Sequence, residues 1–204
     1  ILIEIFAIKN YDDIFEITKD LIDKKDELNS TINYHESIAN LTNEIYNKFN
    51  INSDLTIEQN IAKFKEHNSK DTILQLVNFY SNSKNKTDHK ILLNINDFYN
   101  NKISFEKYYN LFFTNNNTLR KPSKSLLQDQ KALLQLNNHT NSILEYYDQI
   151  KSIKICHETR LIIYFSSLAI KYYDELKNNK NLLDYDDLIN KTNKLLQNPN
   201  FNSW

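Results

Sequence analysis

Apolar side chains recur three and four positions apart along almost the whole chain, which is the spacing of a helix face and not of strand alternation. Tyr11, Ile14, Phe15, Thr18, Leu21 and Ile22 form one such face, which ends in the charged run Lys24-Lys25-Asp26-Glu27. Tyr34, Ile38, Leu41, Ile45 and Phe49 form a second. Thr56 with Gln59 reads as a capping box that opens a third helix, carrying Ile61 and Phe64. Asp71 is the predicted cap of a fourth, with Leu74, Val77 and Phe79 on its face. Thr87 precedes Ile91, Leu92, Ile95, Phe98 and Tyr99 at helical spacing, and Phe105, Tyr108, Tyr109 and Phe112 mark a short aromatic helix.

The one long irregular stretch is TNNNTLRKPSK (114–124). Ser125 with Gln128 then reads as a second capping box, followed by a helix to about Tyr147 and another from about Ile155 to Leu176. Near the end, Asp184 sits at an N-cap and Asp187 at N3, ahead of Leu188, Ile189, Thr192, Leu195 and Leu196, until Asn198-Pro199 stops the pattern. Period-two alternation allows only a short strand in ILIEIFAI (1–8). The pattern predicts an all-α, irregular multi-helix fold of about eight to ten helices, with residues 1–204 as a single helical domain without solenoid repeats.

Composition sharpens this reading. A chain of this length ordinarily carries about 14 glycines, and this one has none. That excludes a P-loop, a dinucleotide fingerprint, an EF-hand loop or a nucleophile elbow within these residues, because each needs glycine backbone geometry. The formal charge of −1 gives no general attraction to nucleic acid or to an anionic membrane. No apolar run reaches spanning length and no signal-peptide pattern opens the chain. The lone cysteine, Cys156, fits a reducing cytoplasm. Without methionine, the chain reads as a piece of something longer.

The candidate chemistry is sparse. Asp184, Asp186 and Asp187 match a bare DxDD pattern, which some isoprenoid cyclases use as a proton donor, but the same residues serve as a helix start. As a cap alone, Asp184 is worth about 1 kcal/mol. His35, His67, His89, His139 and His157 show no metal-ligand spacing, so no metal site is expected. Cys156 and His157 are adjacent, which points their side chains apart on a helix. Arg120, Lys121 and Lys124 form a basic loop with no acid nearby, beside small polar residues suited to phosphate contact.

Two stretches together resemble a known family. YDELK (173–177) followed by LDYDDLI (183–189) is similar to the YxxxK…LDYDDLI segment that precedes Walker B in UvrD/Rep-type superfamily 1 DNA helicases, most of all in AddA-type helicase–nuclease subunits. The residues that carry it are Tyr173, Lys177, Asp184, Tyr185, Asp186, Asp187 and Leu188. There, as here, the segment continues through a helix to a tryptophan, in this chain Trp204. FFTNNNTLRKPSK (112–124) resembles a second AddA stretch at Phe112, Thr114, Arg120 and Lys121, with Asn117 at the family's glycine. SNSKNKTDHKILL (81–93) is a third likeness, with Asn82 at a usual glycine.

The resemblance implies a helical 1B accessory subdomain, with 181–204 leading back to the motor core. It implies a parent that is an ATP- and Mg2+-dependent DNA helicase in double-strand-break repair, with a nuclease domain and an AddB-like partner subunit. The fragment itself would hold no cofactor and have neither activity. It would touch DNA phosphates through Arg120, Lys121 and Lys124, with a duplex salt slope of about −3 at most, while Asp184–Asp187 would be architectural. The alternatives are an all-α interaction module indifferent to DNA and an enzyme built on the DxDD carboxylates, which needs a raised carboxyl pKa.

Overall fold

The computed structural model describes residues 10–198, so the strand expected in 1–8 and Trp204 lie outside the described residues. The fold is all-α. Among the described residues ten helices run in order: α1 Tyr11–Asp23, α2 Lys25–Tyr34, α3 Ile38–Lys48, α4 Ile57–His67, α5 Leu74–Asn82, α6 Lys86–Tyr99, α7 Phe105–Phe112, α8 Lys124–Gln128, α9 Gln130–Lys180 and α10 Tyr185–Gln197. Among the described residues the only β feature is an isolated antiparallel bridge between Phe113 and Leu119. The chain divides into two compact units: a central one, Asn43–His157, and a terminal one, Ile1–Thr42 with Glu158–Trp204.

Several boundaries differ from the sequence reading. The first helix ends at the charged run as expected, with Lys24 as its C-cap, and the run also opens α2; Tyr34 ends that helix and is exposed. Asp71 caps nothing, because α5 starts at Leu74 after Ile73, which makes no side-chain cap bond. The cap of α8 is Ser123, two residues before the expected Ser125, with its Oγ accepting from the Leu126 N–H. Asp129 then caps α9, accepting from the Ala132 N–H at 3.0 Å. The break expected between Tyr147 and Ile155 is absent. No glycine or proline interrupts those residues, and α9 continues through them for 51 residues.

The central unit has an aromatic core. All four expected residues of α7, Phe105, Tyr108, Tyr109 and Phe112, are buried. Phe98 stacks on Tyr108 with ring centroids 4.0 Å apart, and Tyr109 stacks on Tyr147 at 3.8 Å. Inside this core His139 is 2% exposed. Its Nε2 lies 2.6 Å from Tyr108 Oη and its Nδ1 lies 3.2 Å from Asn68 Oδ1. Asn68 spends its own amide on Ser142 Oγ and Phe64 O, so Oδ1 accepts from Nδ1–H and Nε2 accepts from the Tyr108 hydroxyl. That assignment makes the imidazole neutral, and burial lowers its pKa to about 4.

In the terminal unit, Ile14, Leu161 and Phe165 pack together. The helix α10 buries no side chain, and Leu188, Ile189, Leu195 and Leu196 on its apolar face are all exposed.

Absence of glycine shifts the left-handed backbone positions mainly to asparagine. Among the described residues five have positive φ: Glu36, Asn50, Asn101, Asn117 and Asn181. Asn50, Asn101 and Asn181 each end a helix in a Schellman arrangement, for instance with Lys102 N–H donating to Asp97 O and Asn101 N–H donating to Phe98 O. Asparagine tolerates this conformation better than other residues with a Cβ. Asn82, aligned above with a family glycine, is instead the last residue of α5 and has ordinary backbone.

Two predictions follow from these features. Glu36→Gly should raise unfolding free energy by about 1 kcal/mol, and Gly at Asn50, Asn101 or Asn181 should raise it by less; urea titration would measure both. His139 has a folded pKa of about 4, below its unfolded value of about 6.5. Its contribution is therefore complete above the unfolded pKa and disappears as pH falls through the folded one, about 3 kcal/mol in total. Between pH 7 and about pH 4, the parent chain should lose that much more stability than His139→Gln. An equal loss in both would remove His139 as the source.

Candidate nucleic-acid interface and the Asp184 clamp

Four residues of the shared string, Tyr173, Lys177, Asp184 and Asp187, form one bonded group in the terminal unit. Asp184 is the N-cap of α10; its side chain accepts from the Asp187 N–H, and the Asp187 carboxylate accepts from the Asp184 N–H, a reciprocal capping box. The second function of Asp184 is electrostatic. Lys177 Nζ and Lys25 Nζ both lie 2.7 Å from the same oxygen, Asp184 Oδ2, and the Tyr173 hydroxyl reaches it at 3.2 Å. Lys177 also bonds Asp187 Oδ2 at 2.7 Å and pairs with Asp174 at 3.3 Å. Its ammonium stands over the Tyr173 ring.

Burial alone would lower the Lys177 pKa, but its bonds to Asp184 and Asp187 raise it well above the usual lysine value. Burial likewise works against the Asp184 carboxylate, yet hydrogen bonds from Lys177 and Lys25 hold its pKa far below the ordinary range. The bond from Lys177 lowers Asp187 in the same direction. A proton-donating aspartate needs the opposite shift, so Asp184 and Asp187 are unsuited to that role. Asp186, Tyr185 and Leu188 are exposed and take no part in the clamp. Asn190 adds a further tie to α2, donating to Asp26 Oδ2 at 3.1 Å.

Lys25 was not visible as a member of this group. It lies 159 residues from Asp184 within a charged run and is nevertheless 5% exposed. No local pattern marks it. Only the surplus of carboxylates over cations around 184–187 hints that an outside cation is required.

The basic loop belongs to the central unit. Its backbone turns back on itself through Thr114 N–H to Thr118 O at 2.9 Å and Arg120 N–H to Phe112 O at 2.7 Å. Asn117, at the tip, has φ 57° and accepts from the Tyr109 hydroxyl. Arg120 Nε donates to Asn110 O and Phe113 O, so this arginine also fastens the turn. Lys121 and Lys124 are exposed and make no ion pair among the described residues. At the end of the loop Ser123 Oγ donates to Asp88 Oδ2 at 3.3 Å.

The small net charge of the whole chain conceals a division. Residues 43–157 hold 15 Lys and Arg against 11 Asp and Glu, a net of +4, which leaves −5 for the remainder.

Among the described residues no group of three or more His, Cys, Asp or Glu is placed to hold a metal ion. Cys156 is buried, and burial raises its thiol pKa, away from the nucleophilic form. No described helix is long and apolar enough to cross a membrane. Compared with protein-family models, curated proteins and solved structures, the chain matches none.

Removing Asp184 takes away a cap and also leaves Lys25 and Lys177, 5% and 8% exposed, without their shared acceptor. Asp184→Ala should therefore cost about 3 kcal/mol instead of the 1 kcal/mol of a cap alone. Asp186→Ala should change stability by less than about 0.5 kcal/mol. Equal effects of the two substitutions in urea unfolding would contradict the clamp. Because the Asp184 and Asp187 pKa values are depressed, their stabilisation is complete above the unfolded carboxyl value of about 3.9 and is lost only below it.

Proposed function

We propose that this chain is a helical DNA-contacting module of an ATP-dependent helicase of the UvrD/Rep type, similar to AddA, serving double-strand-break repair. The observation that carries the reading is the net +4 of the central unit, with Lys121 and Lys124 exposed and unpaired on a fixed loop. Exposed cations beside Ser, Thr and Asn are suited to phosphate oxygens and supply affinity without reading sequence. The bonded group of Tyr173, Lys177, Asp184 and Asp187 gives four of the shared letters a structural role. ATP and Mg2+ would be held by motor residues of the parent, whose P-loop these residues do not supply.

A second reading has its own support. The exposed apolar face of α10 suits a module that packs on another protein. Such a module would ignore DNA.

Fluorescence anisotropy with labelled DNA separates the two. Lys121→Glu with Lys124→Glu leaves the bonds of the turn intact, and it should weaken binding about tenfold and flatten the salt slope by about two. Binding indifferent to both salt and these reversals would count against the phosphate contact.

A further inference from the structure

We propose that the phosphate-contacting surface is built from two segments and not one: the basic loop is joined by residues 84–87, which add Lys84 and Lys86. The inference rests on the nucleic-acid reading above and extends it to cations which that reading did not assign.

The two segments meet on one atom. Asp88, in the first turn of α6, is 2% exposed. Its Oδ2 accepts from Ser83 Oγ at 2.6 Å and from Ser123 Oγ at 3.3 Å. Ser83 immediately precedes Lys84, and Ser123 lies between Lys121 and Lys124. Asn85, Thr87, Arg120 and Lys121 also line one pocket of about 180 Å³. Segments about 35 residues apart in sequence are thus fastened together, by the separation of Ser123 and Asp88.

The chemistry of this joined surface is one-signed. Lys84 and Lys86 are exposed and have no ion pair among the described residues. Asn85 between them is the N-cap of α6, with φ −84° and ψ 123°, so the two lysines flank the start of that helix. The one acid of these segments, Asp88, is buried under its two serines. It lines the pocket, where its charge opposes a single phosphate held inside. Cations spread along two segments outside that pocket suit a row of phosphates instead. Ser, Asn and Thr interleave with them as hydrogen-bonding groups, and the loop's exposed apolar residue is Leu119, too little for membrane insertion.

The test uses the 204-residue chain with fluorescein-labelled duplex DNA carrying a single-stranded tail, between about 50 and 200 mM salt. Five cations predict a slope of about −5, where the loop alone predicts about −3. Lys84→Glu with Lys86→Glu should bring the slope to about −3 and weaken binding about tenfold. Lys102→Glu makes a change of the same sign past the other end of α6, about 20 Å along the helix, and should leave the slope unchanged. A parent slope of about −3 that the double reversal does not alter overturns the second segment while leaving the loop assignment standing. No binding by the parent chain overturns both. Equal binding to phosphatidylserine vesicles and to DNA overturns the nucleic-acid assignment of this surface.

Discussion

One uninterrupted helix underlies both cores. The helix α9 supplies Leu136, His139, Ile143 and Tyr146 to the aromatic core of the central unit, and Leu161 and Phe165 to the small cluster around Ile14. Further along it presents Tyr173 and Lys177 to Asp184. A helix this long is not held by propensity alone; burial of its successive faces stabilises it. Its sequence meets that requirement, with Ile143, Tyr146, Ile150, Ile153 and Cys156 keeping the three-and-four rhythm through the polar residues between them.

With no glycine to turn the backbone, polar side chains end and redirect the helices. Asparagines take left-handed positions after α3, α6 and α9. Thr56 and Asp184 close reciprocal capping boxes, and Ser104 and Ser123 cap α7 and α8. The same economy appears where two segments must be joined: Asp88 ties Ser83 to Ser123, and Asp184 ties Lys25 to Lys177. In each case a carboxylate takes more than one donor; Asp88 is itself buried, and Asp184 serves the buried Lys25 and Lys177.

Much of this was legible locally. The helical class, the four inward aromatics of α7, the Thr56 box and the Asp184–Asp187 start follow from spacing and capping chemistry within a few residues. The errors came where a local sign was ambiguous. Ser123 and Ser125 both precede suitable donors, and only the fold selects the first. The sequence reading ends one helix at about Tyr147 and starts the next at about Ile155, but without a helix breaker the apolar rhythm of Ile150 and Ile153 carries α9 straight through. The recruitment of Lys25 and the meeting of the 83 and 123 segments were not legible at all, because each is a contact between residues far apart in the sequence. The division of charge between units was equally hidden, since it requires knowing which residues share a unit.

The clamp also joins a short loop and a long one at a single oxygen. The central unit is a continuous stretch, whereas the terminal unit draws on both ends of the chain. Lys177 meets Asp184 across 7 residues, but Lys25 must find it across 159. For a flexible chain, closing the longer loop costs about 3 kcal/mol more than closing the shorter. The Lys177 bond is thus a local, fast contact. The Lys25 bond, on the same oxygen, carries the larger closure cost.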